Sequence, residues 1–197
     1  GEADASHKVT INGKTLTVSL PKTGAWGTFP ENSIVMIPAT LKRGGNFIEI
    51  EPNENFAELD RIDFLRIIRD TLPANGFDNG IRVRLTEKDE FAIKDGGYAL
   101  FENVLTDSLK SKKVNVQLKQ CAGGVISLRK GSKTGDEISK CSIPASCENG
   151  TWTEVECSDL QDISGIEDFV LTASGIGSEL LIGNILFKDN TQKEDSS

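Results

Sequence analysis

Short runs of alternating, often β-branched residues, each broken within a few positions by Gly, Asn, Asp or Ser, recur along most of the chain and set the strongest limit on its fold. Side chains on a strand alternate between faces with a period of two. Such runs therefore bury one face and wet the other, and frequent turn residues return the chain antiparallel. Val9-Thr10-Ile11 and Leu16-Thr17-Val18 flank Asn12-Gly13, a pair suited to a two-residue hairpin turn. Residues 33–38 and 46–51 read as further strands, the second entered through Gly44-Gly45. Beyond residue 80 the runs crowd together, at 81–85, 90–93, 98–104, 113–118, 124–129, 137–143, 152–157, 169–172 and 180–187. This pattern predicts an all-β fold, an antiparallel β-sandwich or barrel, rather than alternating strands and helices. One segment differs. Leu59, Ile62, Leu65, Ile68 and Leu72 lie at helical spacing while Ile62, Phe64 and Ile68 partly satisfy alternation, so the segment is ambiguous, with periodicity favouring a helix over 59–72. The breaker-rich stretch Pro73-Ala74-Asn75-Gly76-Phe77-Asp78-Asn79-Gly80 then reads as a linker (73–80) between a first part, 1–72, and a second, 81–188, with a polar tail at 189–197.

All four cysteines, Cys121, Cys141, Cys147 and Cys157, fall in the second part and lack the close CxxC spacing of zinc sites. They predict two disulfides with all three pairings open, and a secreted or cell-surface location. Asn149-Gly150-Thr151 matches the N-glycosylation pattern. The formal charge of -8, from 30 acidic and 22 basic side chains, opposes nucleic-acid binding. No apolar run approaches the roughly 20 residues of a membrane span, and residues 1–7 lack the features of a signal peptide, so the chain reads as soluble and already processed.

Catalysis finds little support. The one histidine, His7, falls in what reads as a polar leader, which leaves no Ser-His-Asp triad and no histidine-rich zinc site. Phosphate-binding glycine loops are missing, and no carboxylate pair stands out for glycoside hydrolysis. The remaining chemistry-bearing feature is aromatic. Trp26 and Trp152 are the only tryptophans, and each follows a glycine turn and precedes a β-patterned segment, which suggests a duplicated module. An exposed indole can stack on the apolar C–H face of a sugar while neighbouring polar groups meet its hydroxyls.

Several ordered segments carry a family resemblance: Tyr98-Ala99-Leu100-Phe101-Glu102-Asn103-Val104, Gly123-Gly124-Val125-Ile126-Ser127-Leu128-Arg129, Gly135-Asp136-Glu137-Ile138, Ile143-Pro144, Gly150-Thr151-Trp152 and 180–187. Together they resemble carbohydrate-binding modules of family 6 over about residues 80–187. The first part, with Thr23-Gly24-Ala25-Trp26-Gly27, Leu41-Lys42-Arg43-Gly44-Gly45-Asn46 and Leu59-Asp60-Arg61-Ile62-Asp63-Phe64, resembles the C-terminal half of a module of family 6 or 35. The resemblance implies β-jelly-roll sandwiches, carbohydrate or glycan as partner, and often a structural Ca2+ ion. It also leaves the first module partial: either the chain is a fragment of a longer polypeptide with a retained partner segment, the favoured reading, or another chain completes the sandwich, or the first part packs on the second. The ligand-binding residues it points to are Trp26, Asn55 and Glu58 in the first part and Tyr98 and Trp152 in the second. Asp60 is the implied calcium ligand, with Glu51, Asn53 and Asn55 as oxygen-bearing neighbours. Leu181 stands where these modules usually carry a ligand-binding Asn, and Gly183 where an Asp commonly follows, whereas the first part keeps Glu58 and Asp60, so the resemblance favours Trp26 over Trp152 as the sugar site. The expected function is non-catalytic extracellular polysaccharide binding that targets a larger protein to glycan. The alternative is an adhesive β-sandwich with a decayed sugar site.

Overall fold

The computed structural model of the chain describes residues 1–30, 33–42, 44–109, 112–148, 150–161 and 163–189, and these form two compact units, Gly1–Asp63 and Phe64–Ser197. In the first unit, strands β1 (Ala5–Ile11), β2 (Lys14–Leu20) and β3 (Ile48–Glu54) make one antiparallel sheet in the order β2-β1-β3. The β1–β2 hairpin turns where the sequence places it, through Asn12 and Gly13 at φ 50° and 86°. Val9 lies across from Leu16 on one side and Ile50 on the other, and it is buried with Ala5, His7 and Val18. His7 is therefore a sheet residue rather than part of a leader. Its Nδ1 lies 2.9 Å from the Ser6 carbonyl, which can only accept, so Nδ1 carries the proton of that bond.

Two expectations for this part are not met. Residues 33–38 form no strand: Ile34 and Met36 stand in solvent, and no ladder among the described residues includes the segment. The periodic stretch 59–72 forms no helix either. Leu59, Ile62 and Phe64 are about half exposed, so the apolar stripe has no surface to pack on, whereas Ile68 and Leu72 are drawn into the core of the second unit.

The second unit contains β4 (Arg66–Ile67), β5 (Thr71–Pro73), β6 (Asn79–Leu85), β7 (Phe91–Leu105), β8 (Lys112–Gln120), β9 (Val125–Lys130), β10 (Glu137–Ser142), β11 (Thr153–Asp159), β12 (Ile166–Ser174) and β13 (Leu180–Asp189). Residues 73–80, expected as a linker, are integral to it. Pro73 ends β5, a short 3-10 turn at Ala74–Gly76 follows, and Asn79 begins β6. Breaker residues here turn the chain within a fold rather than between folds.

The strands run in the order β10-β9-β12-β7-β13-β8-β11, and the sheet is rolled into an antiparallel sandwich. Strand β7 makes the corner. Its start, Phe91–Ile93, pairs with β13, while the stretch from Tyr98 to Leu105 pairs with β12. Inward residues of both layers, including Phe91, Phe101, Leu118, Phe169, Ile182 and Phe187, are all but fully buried. Each side chain of this kind contributes about 1.5–3 kcal/mol relative to exposure.

The two ends of the strand path meet. Cys141 of β10 and Cys157 of β11 form a disulfide with Cα atoms 4.1 Å apart, and Ser139 Oγ donates to the Ser158 carbonyl at 2.7 Å beside it. The second bridge joins Cys121 to Cys147, which selects one of the three possible pairings. Replacing both residues of the buried bridge (C141A/C157A) is expected to lower unfolding free energy by roughly 3 kcal/mol, the loop-closure value for a bridge of this span. Urea titration of the oxidised proteins measures it. A change under about 1 kcal/mol would show that the sandwich closes without the bridge.

Candidate functional site

Strand β11 sets the position of Trp152. Thr153 lies across from Leu118 and Glu154 across from Gln117, so Trp152 stands just ahead of the ladder, beside Lys119 of β8. Its ring extends to the next strand, β13, and rests on Gly183. A Cβ at position 183 would stand only 3.0 Å from Cζ3 and 3.2 Å from Cε3 of the indole. Any larger residue would push the ring outward by at least a few tenths of an ångström. The side chain stays 40% exposed, so part of the indole remains open to a ligand.

Polar groups around the ring are arranged in pairs. Lys119 Nζ lies 5.5 Å from the ring centroid and 2.5 Å from Glu90 Oε1, with both side chains mostly covered. Asn184 Nδ2 donates to Gln117 Oε1 at 2.8 Å. Further along, Glu154 accepts from Lys188 and Asn115, and Lys113 meets Glu156. The ammonium of Lys188, and then the Asn115 amide, hold the Glu154 carboxyl below the usual carboxylate range. Each lysine beside the ring thus meets a carboxylate. The surface offers hydroxyl-sized hydrogen-bonding partners without a net cation, an arrangement that suits neutral ligands.

Tyr98, the other aromatic expected here, lies elsewhere. It sits in the part of β7 that pairs with β12, across from Thr172, and is flanked by Ile81 of β6. Half-buried, it has Lys133 Nζ 6.0 Å from its ring. It belongs to the layer opposite Trp152, so the two do not form one site. The sequon residue Asn149 lies outside the described residues.

In the first unit Trp26, Glu58 and Asn55 are brought into one neighbourhood. The Trp26 ring lies 5.7 Å from that of Phe56, tilted by 43°, and the two side chains are 51% and 60% exposed. Glu58 Oε2 accepts from the Gly27 amide at 2.9 Å, next to Trp26. Asn55, at φ 54°, donates to the Asp4 carbonyl at 2.7 Å. A cavity of about 330 Å³ in this unit is lined by Asp4, Ser6, Ser19, Leu20 and Glu54 but by none of the expected ligand residues. Asp60 is exposed, and among the described residues no group of three or more His, Cys, Asp or Glu side chains that could hold a metal forms.

A sequence profile of the carbohydrate binding module (family 6) matches residues 82–186. The chain belongs to carbohydrate-binding module family 6. Solved structures of that family share the fold. A module from Clostridium stercorarium in complex with cellobiose is 16% identical, with 65% of this chain and 99% of that one covered at a TM-score of 0.53. A β-1,3-glucan-binding module from Bacillus halodurans is 21% identical, with coverage of 64% and 99% and a TM-score of 0.55. One from Clostridium cellulolyticum in complex with xylose is 17% identical, with coverage of 63% and 100% and a TM-score of 0.55. A search of curated proteins found no match.

The residues around the ring that sequence reading missed are those joined by register rather than by motif. Gln117 and Lys119 of β8, Asn184 of β13 and Glu90 just ahead of β7 carry no local signal, whereas Phe56 adjoins a residue already singled out. Two outcomes follow from the geometry. Gly183→Leu should lift the indole and raise acrylamide quenching of Trp152 fluorescence, read in a Trp26→Phe background; unchanged quenching would remove Gly183 as the floor. The depressed Glu154 carboxyl stabilises the fold above the ordinary carboxylate range, and that contribution disappears as pH falls through its lowered value. Glu154→Gln should therefore flatten the acid limb of the stability profile below about pH 4 while changing the slope near pH 7 little.

Proposed function

We propose that the Phe64–Ser197 unit is a non-catalytic module that holds a neutral polysaccharide against Trp152. The supporting observation is a partly open indole, fixed from below by Gly183 and bordered by the Lys119–Glu90 and Gln117–Asn184 pairs. A pyranose ring laid on the open part of the indole gains stacking and desolvation, while its hydroxyls meet donors and acceptors whose charges are already balanced. The ligands of the similar family 6 modules, cellobiose, xylose and β-1,3-glucan, are neutral sugars of this kind. The exposed Trp26–Phe56 pair with Glu58 is the second candidate platform, in the other unit.

Two disulfides fit an oxidising, extracellular compartment, and no helix among the described residues is long and apolar enough to cross a membrane. In that setting the module keeps a larger protein near glycan. A second reading, adhesion to protein, draws on the exposed Phe29, Ile34, Met36 and Phe47 of the first unit and on the apolar Leu181, two residues before Gly183 on β13.

Glycan-array binding of the oxidised chain separates the two. Binding to neutral glycans is expected, with Trp152→Ala weakening it about ten- to hundredfold, the loss of one stacking contact. Trp26→Ala should cost less. Absence of binding to every glycan would favour adhesion.

A further inference from the structure

The connection between β10 and β11, residues 143–152, delivers Trp152 to its platform and is held unevenly. Its start is anchored, since the Ile143 amide donates to the Gly124 carbonyl at 2.9 Å and the Pro144 carbonyl accepts from Gly123 at 3.0 Å. From 145 to 151, among the described residues, the one covalent or hydrogen-bonded tie to another element is the bridge from Cys147 to Cys121. Cys121 directly follows β8, two residues beyond the Lys119 that borders the indole. The approach to Trp152 is thus fixed from two sides, by the pairing of Thr153 with Leu118 and by this bridge.

The two disulfides differ in access. Cys141 and Cys157 are buried at 3% and 7% exposure in the core that joins the layers, whereas Cys121 and Cys147 are only half-buried. Thiol–disulfide exchange needs a thiolate to reach sulfur, so the bridge beside the platform is the more reactive of the two.

We infer that Cys121–Cys147 is a positioning pair for the Trp152 platform, and that a thiol reductant opening this bridge alone loosens the indole and releases the sugar. The inference rests on Trp152 being the sugar platform. In the step itself, a reductant thiolate attacks one of the two sulfurs to give a mixed disulfide, and a second reductant thiol resolves it. Two reductant thiols become one disulfide, and Cys121 and Cys147 each leave as a thiol. The freed segment regains conformational entropy, and the ring spends less time on Gly183.

Graded dithiothreitol treatment of the Trp26→Phe variant of the whole chain tests this, with alkylation and mass spectrometry to identify opened cysteines. Far-UV circular dichroism, acrylamide quenching of Trp152 and affinity for the best glycan from the array are followed together. The expected first product is alkylated only at Cys121 and Cys147 and keeps the β-sheet signal. Its Trp152 should quench more readily, and its affinity should fall about tenfold relative to the oxidised variant, returning on reoxidation. C121A/C147A should reproduce that state without reductant. If this double variant does not fold, graded reduction decides. Unchanged quenching after Cys121–Cys147 opens, or simultaneous opening of both bridges with loss of β signal, would overturn the inference. Should no glycan bind the oxidised protein, the proposed function fails, while the quenching comparison still decides the positioning role.

Discussion

A sheet that must bury one face has to find a second layer, and here the second unit supplies it by rolling its own sheet. Strand β7 is long enough to pair with β13 at its start and with β12 farther on, so one continuous backbone passes from one layer to the other. Rolling brings β10 and β11, at opposite ends of the strand path, within reach of a disulfide. The enclosed face is then filled by aromatic and aliphatic side chains from both layers. The position of Trp152 follows from this closure. The connection that crosses from β10 to β11 must descend onto the open face of β8 and β13, and its last residue is the tryptophan.

On that face the site depends on the absence of a side chain. A flat ring lies close to a sheet only where the strand beneath offers bare backbone, and Gly183 does so. A Cβ there would crowd the indole and make it give by a few tenths of an ångström. With its underside covered, the ring presents a shallow single surface rather than a cleft with two walls. On the proposed function such a surface would hold one sugar weakly, and useful affinity would come from repeated engagement along a polymer, where each further contact is intramolecular.

The strands beyond residue 80 were legible because period-two alternation and turn residues are local signals, and nearly all recur in the structure close to their expected places. Segments 33–38 and 59–72 were not, since a strand needs a partner and an amphipathic helix needs a surface, and neither is visible in a single stretch of sequence. That Trp152 follows a turn and leads into a strand could be read directly. Its partners could not: Lys119 and Glu90 lie 29 residues apart in sequence and meet through the register of three strands. Gly183 reverses its sense. Read against the family pattern it marks a missing carboxylate, but in the fold it is the surface on which the indole rests.

That reversal bears on which tryptophan matters more. Residue types near Trp26 keep more polar character, which favours it from sequence alone. Its frame is softer, however. The buried apolar residues of the first unit are Ala5, Val9 and Val18, and much of the remaining order comes from exposed or half-exposed hydrogen bonds such as Asn53 to Ser6 and Asn55 to Asp4. Bonds of that kind contribute only about 0.5–1.5 kcal/mol each and open readily. Trp152 stands on a strand pair backed by Leu118, Ile182 and Phe187 and is approached by a loop under a covalent tether. Stacking contributes to affinity only after the cost of ordering the ring has been met, and that cost is smaller where packing has already fixed the ring. Preorganisation therefore favours Trp152, although Trp26 has the more polar neighbours.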